Sequence, residues 1–551
     1  MSIERKLQII PLGGLGEIGK NMTAIKYEDA IVVIDSGLAF PDDELLGIDL
    51  VIPDISYLIE NREKVKAILL THGHEDHVGA LPYVLREITP PIYGSKLTLG
   101  IVEGKLKEHS LKNIELNIVS PRDKVKIGPF EVEFFHVCHS IPDCMGIAIH
   151  TPLGTILHTG DIKLDQTPVD DQRVDFARMV ELGEKGVLVM LSDSTNAERP
   201  GYTKSEKLVG NTFDELFNKC EGRIIVTTFA SNVHRIQQVI NTAEKYGRKV
   251  SIVGRSMVNN VKISGELGYL KIPENILVEM EDINKYPPEK MVIATTGSQG
   301  EPMSALTRMA SAGHRWVGIK PGDTVIISAT PIPGNEKLVG KTIDLLFKLG
   351  AEVIYERDAG VHVSGHASQD ELKLLLGIIK PKYFIPVHGE YRHLVKHSQL
   401  AESIGINRER ICVAENGNII EVTENKIQVN GKVASGRVLI DGLGVGDIGK
   451  IVIRDRRQLS EDGIIIVVVT LSNGEVVSGP DIVSRGFVYV RESEQLMENS
   501  KTKINEALEH CSRNQIREWS IIKMQIKDKL AKYLYEETGR RPMVMPIIME
   551  I

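Results

Sequence analysis

Seven consecutive residues constrain this chain more than any others: Thr71-His72-Gly73-His74-Glu75-Asp76-His77. The pattern H-x-H-x-D-H follows Val65 to Thr71, an apolar run that reads as a buried strand, and leads into HVGALPYVLREI, whose apolar spacing is helical. In extended backbone His72 and His74 project to the same side, because side chains alternate along a strand. Asp76 and His77 fall on the turn into the helix and can face a second, nearby point. Three imidazoles and a carboxylate within so short a stretch are donors for two borderline metal ions. A polar surface loop rarely carries this spacing at a strand-to-helix junction.

Two ions need further ligands, and three candidates stand at the ends of predicted strands. His139 lies in HVCHSIPD (136–143), Asp161 closes HTGD (158–161) and His388 follows the strand in PVHGE (386–390). Taken singly, each reads more readily as a satisfied core or surface residue. Taken with residues 72–77 they read as the rest of a ligand set.

The remaining composition bounds the setting. At roughly 150 residues per domain, 551 residues imply three to four domains. Lys and Arg number 66 against 74 Asp and Glu, a net charge of −8 that excludes a globally basic nucleic-acid coat but not a local basic groove. No run approaches the roughly 18 apolar residues of a membrane span, so no membrane association is expected. The opening MSIERKLQIIPLGG lacks the features of a signal peptide. Five cysteines without a C-x-x-C pair fit a reducing cytoplasm, with each thiol a small buried hydrophobe.

Along the chain, strands alternate with helices in the N-terminal third. From about Thr203 a second alternation begins: a helix capped by Ser205, a strand over Arg223–Thr228, a helix opened by Ser231 or Asn232, and further units to about Tyr355. This texture predicts a second, parallel-sheet domain. Tyr383–Val387 reads as an edge strand because Pro386 cannot donate to a ladder. Asn416–Gly449 reads as a glycine-rich connection. The last hundred residues hold strands at Ile464–Leu471 and Phe487–Val490, two helical patterns and a final strand, MVMPIIMEI. A basic excess between 501 and 541 is an RNA-facing surface or, more commonly, a solvated helical face. The G-x-G-x-x-G at Gly14–Gly19 mimics a dinucleotide fingerprint, with Asp35 at the distance of a ribose-binding acid. That mechanism needs a helix beginning at the glycines. Asn21–Asp35 reads instead as two strands around a Glu28-Asp29 turn, so the glycines are expected to form a loop near the metal site.

H-x-H-x-D-H followed by a distant His, a Gly-Asp and a final His resembles the metallo-β-lactamase fold, an α/β architecture with an αββα sandwich and a dinuclear site at one edge. The resemblance implies that His72, His74 and His139 hold one metal, that Asp76, His77 and His388 hold the other, and that Asp161 bridges them. Asp35 matches the acid that braces the ligand loop. The long interval from Asp161 to His388 exceeds what a lone core needs, and an inserted domain there resembles the β-CASP nucleases. Their acid after a strand is matched by Asp193 in Ser192-Asp193-Ser194-Thr195-Asn196, and their His in a Ser-Gly-His turn by His366 in Ser364-Gly365-His366-Ala367-Ser368. GGLGEIGKN (13–21), THGHEDH, HSIPD, DSTNA, VSGHAS and PVHGE together resemble the ribonuclease J family over the whole chain.

The domains implied are a discontinuous core, 1–204 and 361–425; a β-CASP domain, 205–360; a linker, 426–455; and a C-terminal α/β domain, 456–551. The implied activity is a metal-dependent ribonuclease, 5′→3′ exonuclease and endonuclease, in RNA maturation and decay. His366 is then the general acid, stabilised by Asp193, with Asp76 at the metal site. Ser231, Ser364, His366 and Ser368, at helix starts where free N–H groups favour anions, are candidates for binding phosphate at a 5′-monophosphate end. For Asn232 ordinary capping is the better reading. Residues 296–301 read equally as part of the RNA path or as a turn. The histidine-rich set favours two Zn²⁺ per subunit, with Mn²⁺ the alternative. A homodimer or tetramer is implied, supported by the last domain, with a paralogous subunit or other RNA-decay proteins as partners. The rival readings are a DNA-directed β-CASP nuclease and a non-catalytic RNA-binding subunit of a degradation complex.

Overall fold

Val187–Asp193 is buried at every position, as a strand must be when both faces of its sheet are covered. It pairs in parallel with Gly154–His158 on one side and Tyr383–Val387 on the other. This six-stranded sheet continues through Met145–Thr151, Phe130–His136 and Lys124–Ile127, and Tyr383–Val387 is its edge, where Pro386 is tolerated. A second, eight-stranded sheet runs in the order Ile427–Lys432, Asn418–Val422, Leu7–Gly13, Met22–Tyr27, Ala30–Ile34, Val65–Leu69, Ile92–Gly94 and Leu116–Ile118. The inner faces share one core: Ile9, Ile25, Val32 and Leu69 from the larger sheet meet Phe134, Ile147, Ile156, Val189 and Ile385 from the smaller. Helix Lys96–Glu108 packs beside strand Ile92–Gly94 on one outer face. On the other, Met179 and Leu182 of helix Phe176–Lys185 and Leu375, Leu376 and Ile379 of helix Gln369–Ile379 cover Phe135, Leu157, Met190 and Phe384. The result is the αββα sandwich.

The computed structural model describes residues 6–42, 44–299, 304–332, 335–355, 359–472, 475–488 and 493–551. Residues 300 and 301 of the proposed RNA-path segment, and 489–490 of the strand expected at Phe487–Val490, lie outside them.

Between Asp193 and Tyr383 the chain builds another sheet, five strands and wholly parallel, in the order Lys249–Val253, Met291–Thr295, Ile224–Thr227, Thr324–Ile327 and Glu352–Ile354. Helix Lys207–Lys219 leads into the first of these strands, and helices Val233–Lys245, Arg255–Glu266 and Glu336–Lys348 lie between later ones. Asn232 caps its helix, its side chain accepting from the Arg235 amide.

Met22–Tyr27 and Ala30–Ile34 form an antiparallel hairpin, so no helix starts at the Gly14–Gly19 glycines. The reading of 426–455 as a linker differs from the structure at both ends. Ile427–Lys432 pairs with Asn418–Val422, which pairs with Leu7–Gly13, because Ile420, Val422 and Ile427 are buried in the sandwich core. Lys450–Asp462 is a helix.

The chain divides into two compact units, one of Met1–Phe40 and Leu50–Val438 that holds the three sheets above, the other of Pro41–Asp49 and Leu439–Ile551, which includes the helix Lys450–Asp462. In the second, Ile464–Ser472 pairs antiparallel with Glu475–Arg485 and parallel with Met543–Glu550. Its alternating burial marks one covered face: Ile465, Val467, Val469 and Leu471 pack on Ile504, Leu508, Ile526 and Leu530 of helices Glu494–Arg513 and Trp519–Thr538.

Candidate metal centre

Six strands of the sandwich, Ala30–Ile34, Val65–Leu69, Phe130–His136, Gly154–His158, Val187–Asp193 and Tyr383–Val387, deliver the candidate ligands, Asp35 and Asp193 at or just beyond their C-terminal ends. The backbone bends sharply there. Asp35 and His388 both lie in the left-handed region, at φ 61° and 54°. Such strain, of order 1–3 kcal/mol per residue, persists only where the surroundings over-determine it. They do so at Asp35, whose carboxylate accepts from the Thr71 amide at 2.8 Å, the Thr71 hydroxyl at 2.9 Å and Nδ1 of His77 at 2.8 Å. Gly37 must be glycine: a Cβ would sit 1.6 Å from the Asp76 carbonyl oxygen.

The candidate ligands fall into two groups that share one residue. His72, His74, His139 and Asp161 form the first, Asp76, His77, Asp161 and His388 the second, and within each the ligand atoms lie within 4.8 Å of one another. Asp161 turns a different oxygen to each. Oδ2 is 3.7 Å from Nε2 of His72 and 3.6 Å from Nε2 of His139, whereas Oδ1 is 3.3 Å from Nε2 of His77 and 3.7 Å from Nε2 of His388. Nδ1 of His74 faces Nε2 of His72 at 3.1 Å and Nε2 of His139 at 3.2 Å. Nitrogens crowded this closely in a buried pocket are what a common cation would bind.

The outward nitrogens are fixed by other partners, as ligating imidazoles require. Nδ1 of His77 donates to Asp35 and Nδ1 of His139 to the Gly365 carbonyl at 2.7 Å; Nδ1 of His72 meets the Thr71 hydroxyl at 3.0 Å and Nδ1 of His388 the Thr195 hydroxyl at 2.7 Å. Gly365 lies so close that a Cβ would be 2.6 Å from the His139 ring. Protonation also suits cation binding. Burial holds His72 and His139 well below the ordinary histidine pKa and His74 at about 4, so all three rings are neutral donors. Burial works against ionisation of Asp161, but His388 and His77 outweigh it and keep that carboxyl well below its usual range. Conversely, burial opposes charge on His77 and His388, yet the facing carboxylates, Asp161 foremost, raise both well above 6.5. The second group therefore attracts positive charge.

Beside these groups stands a dyad. Nδ1 of His366 is 2.7 Å from Oδ2 of Asp193 and 3.9 Å from Oδ2 of Asp161. Burial alone would lower the His366 pKa, but Asp193 more than offsets it and raises the value above the ordinary one. Asp161, Asp193, His366 and His388 form a third grouping of ligand type. It is no independent ion site, because it borrows two residues from the second group and its other two are hydrogen-bonded to each other.

Of the phosphate candidates, Ser231, Ser364 and His366 are half-buried, whereas Ser368 is buried. Ser368 differs from its expected part: its amide donates to Glu371 at 2.8 Å and its hydroxyl meets that of Thr203 at 2.8 Å, so both groups are used inside the fold. The glycine loop does reach the centre. Gly13, Gly14 and Asn21 line a small cavity with Asp35, His77, His158, Asp161 and His388. His158, read as a plain core residue, thus borders the site. The sequence reading also passed over Asn21, whose amide lies 3.1 Å from Nε2 of His77, and Thr71 and Thr195, which hold ligand rings. All three lie inside quoted motifs, which gave no sign of their individual roles. Cys138 turns away from His139 toward the Gln172 carbonyl, and burial pushes its thiol up to about 12.

Comparison with known proteins agrees with this geometry. Residues 15–189 match the metallo-beta-lactamase superfamily, 221–346 the ribonuclease J beta-CASP domain, 350–409 the Zn-dependent metallo-hydrolase RNA specificity domain and 451–551 the ribonuclease J C-terminal domain. The chain is 47% identical to Ribonuclease J2 of Bacillus subtilis (strain 168) over 549 residues, 99% of each chain. It is 44% identical to Ribonuclease J 2 of Staphylococcus saprophyticus over 550 residues, again 99% of each. A crystal structure of a protein of unknown function from Enterococcus faecalis V583 shares the fold, with TM-score 0.54 and 17% identity over 76% of this chain and 100% of that one. A discontinuous αββα sandwich, the parallel-sheet insertion and full-length identity to these relatives coincide, and the chain belongs to the ribonuclease J family.

Proposed function

We propose that the protein is a metal-dependent ribonuclease that hydrolyses RNA phosphodiesters, from the 5′ end and internally, in RNA maturation and decay. The observation that carries this is Asp161, whose two oxygens face two separate sets of nitrogen donors with the His366–Asp193 dyad alongside. In this reading His72, His74, His139 and Asp161 hold one divalent ion, and Asp76, His77, His388 and Asp161 the other, zinc by donor type with manganese the alternative. Bound there, two ions supply Lewis acidity and offset charge in the transition state.

The chain's own groups do the rest. With Nδ1 held by Asp193, His366 presents Nε2 to the departing 3′ oxygen and gives it a proton. Ser231, Ser364 and His366 accommodate a 5′-monophosphate, and Ser368 supports that turn from beneath. The core of 1–204 and 361–425, with 205–360 inserted, gives a long polyanion a second surface to lie against. The homodimer reading is supported by the uncovered face of the C-terminal sheet, where Val483, Met545, Ile547 and Met549 are 46%, 45%, 40% and 48% exposed. Among the described residues no helix is long and apolar enough to cross a membrane; a cytoplasmic setting belongs to this proposal.

The test is a time course on RNA labelled at either end and carrying a 5′-monophosphate or 5′-triphosphate, with matched DNA as competitor. Mononucleotides appearing first from the monophosphorylated RNA are expected, and His74→Ala and Asp76→Ala should abolish them. Internal fragments regardless of the end would defeat the 5′-pocket. Equal cleavage of DNA would favour the DNA-directed alternative. Undiminished cleavage by a metal-free variant would end the reading.

A further inference from the structure

Glu371 is 1% exposed, and its carboxylate gathers three backbone amides from three separate parts of the chain. Oε1 accepts from Leu164 at 2.8 Å; Oε2 accepts from Thr203 at 2.7 Å and from Ser368 at 2.8 Å. An acid three residues into a helix ordinarily accepts from the cap residue alone, which accounts for Ser368 and for neither of the others.

The two extra segments are those that frame His366. Leu164 lies on the loop that begins with Asp161, and the Ile162 carbonyl of that loop accepts from the Ala367 amide at 2.7 Å, next to His366. The Ile162 amide points at Oδ2 of Asp193, the oxygen that holds His366. Thr203 turns its hydroxyl to the His366 carbonyl at 2.7 Å, which also accepts from Asn196 at 2.9 Å. Glu371 thus ties together the strap over the His366 carbonyl, the loop of Asp161 and the start of the helix behind the Ser-Gly-His turn.

We infer that Glu371 is a positioning residue for the general acid: with Thr203 it clamps the His366 turn so that the imidazole meets the leaving oxygen. This rests on the reading of His366 as general acid. Three amides converging on two oxygens require a carboxylate, because a glutamine would set its NH₂ against at least one N–H.

The test compares cleavage of an oligoribonucleotide with that of its analogue bearing a bridging 3′-sulfur at the scissile position. Sulfur departs as a thiolate and needs no proton, so it removes the demand for a general acid. Glu371→Gln and Thr203→Val should each lower kcat on the oxygen substrate about 10- to 100-fold, the scale of a misplaced reacting group, with KM changed less than about 2-fold. Both should retain their metal content, and on the sulfur substrate both should return to within about 3-fold of the parent, as a lost proton donor requires. Thr203→Ser should restore the oxygen rate. If Glu371→Gln does not fold, Thr203→Val and its serine rescue carry the test. His366→Ala, rescued by sulfur, is the control: if sulfur fails to rescue it, the general-acid reading fails and the inference goes with it. If sulfur rescues His366→Ala but not the clamp variants, or if these are as fast as the parent on oxygen, the positioning role is overturned while the reading of His366 stands.

Discussion

At the scale of the residue, the centre depends on which nitrogen or oxygen of each side chain faces inward. H-x-H-x-D-H announced candidate ligands, but it could not say that His74 turns Nδ1 inward while its neighbours turn Nε2, because ring orientation depends on Asp35, Ser140 and Gly365, which arrive from other segments. His139, Asp161, His388, Asp193 and His366 were legible because each ends a strand or forms a turn within a recognisable motif. Glu371 and Thr203 were not, since their importance lies wholly in hydrogen bonds between segments distant in sequence. The dyad yields a residue-scale prediction. Asp193 holds the His366 pKa up, so removing its charge lowers that pKa. His366 must be protonated to act as an acid, and cleavage falls as pH rises through its pKa. Asp193→Asn should therefore move the alkaline limb of the pH–rate profile to lower pH and cut the maximal rate by about 10²-fold or more, as measured by initial rates across pH.

At the scale of the element, the alternation of strands and helices was readable because apolar runs and caps are local. The strand over Arg223–Thr228 appears within a residue of expectation, and the helix opened by Asn232 begins where expected. The pairing of Ile427–Lys432 into the larger sheet was not readable, because a short, glycine-bearing strand resembles a connector until its partner is known. A buried ion pair, Arg235 with Glu206, joins elements of the insertion. Arg235, fully buried on its helix, forms a fork with Glu206 and donates to the carbonyl and hydroxyl of Ser328. Burial alone would raise the Glu206 pKa, but Arg235 holds it below the ordinary value. Arg235→Met would leave that carboxylate buried and unpaired, at a cost of about 3–5 kcal/mol. A lower denaturant midpoint should show this, and a second change, Glu206→Gln, should recover part of the loss. With Arg235 in place, the pair's stabilisation is present above the ordinary carboxylate pKa and is lost as pH falls through the lowered one.

At the scale of the whole molecule, two measurements bear on assembly and metal. Ile547→Glu puts a charge on the uncovered face of the C-terminal sheet and should shift the protein to monomers in sedimentation, with its melting temperature little changed. A chelator should abolish cleavage and also lower the melting temperature, because an ion that binds only the folded chain stabilises it; added zinc or manganese should restore both. The insertion has a consequence of another kind. Val187–Asp193 must wait for Tyr383–Val387 before it has its second neighbour, and His388 follows that late strand. A chain emerging from the ribosome therefore carries His72 and His74 long before His388 exists. If His388 completes the site as proposed, the nascent polypeptide lies beside its own message throughout that interval without a finished blade, and cutting waits until most of the chain has been translated.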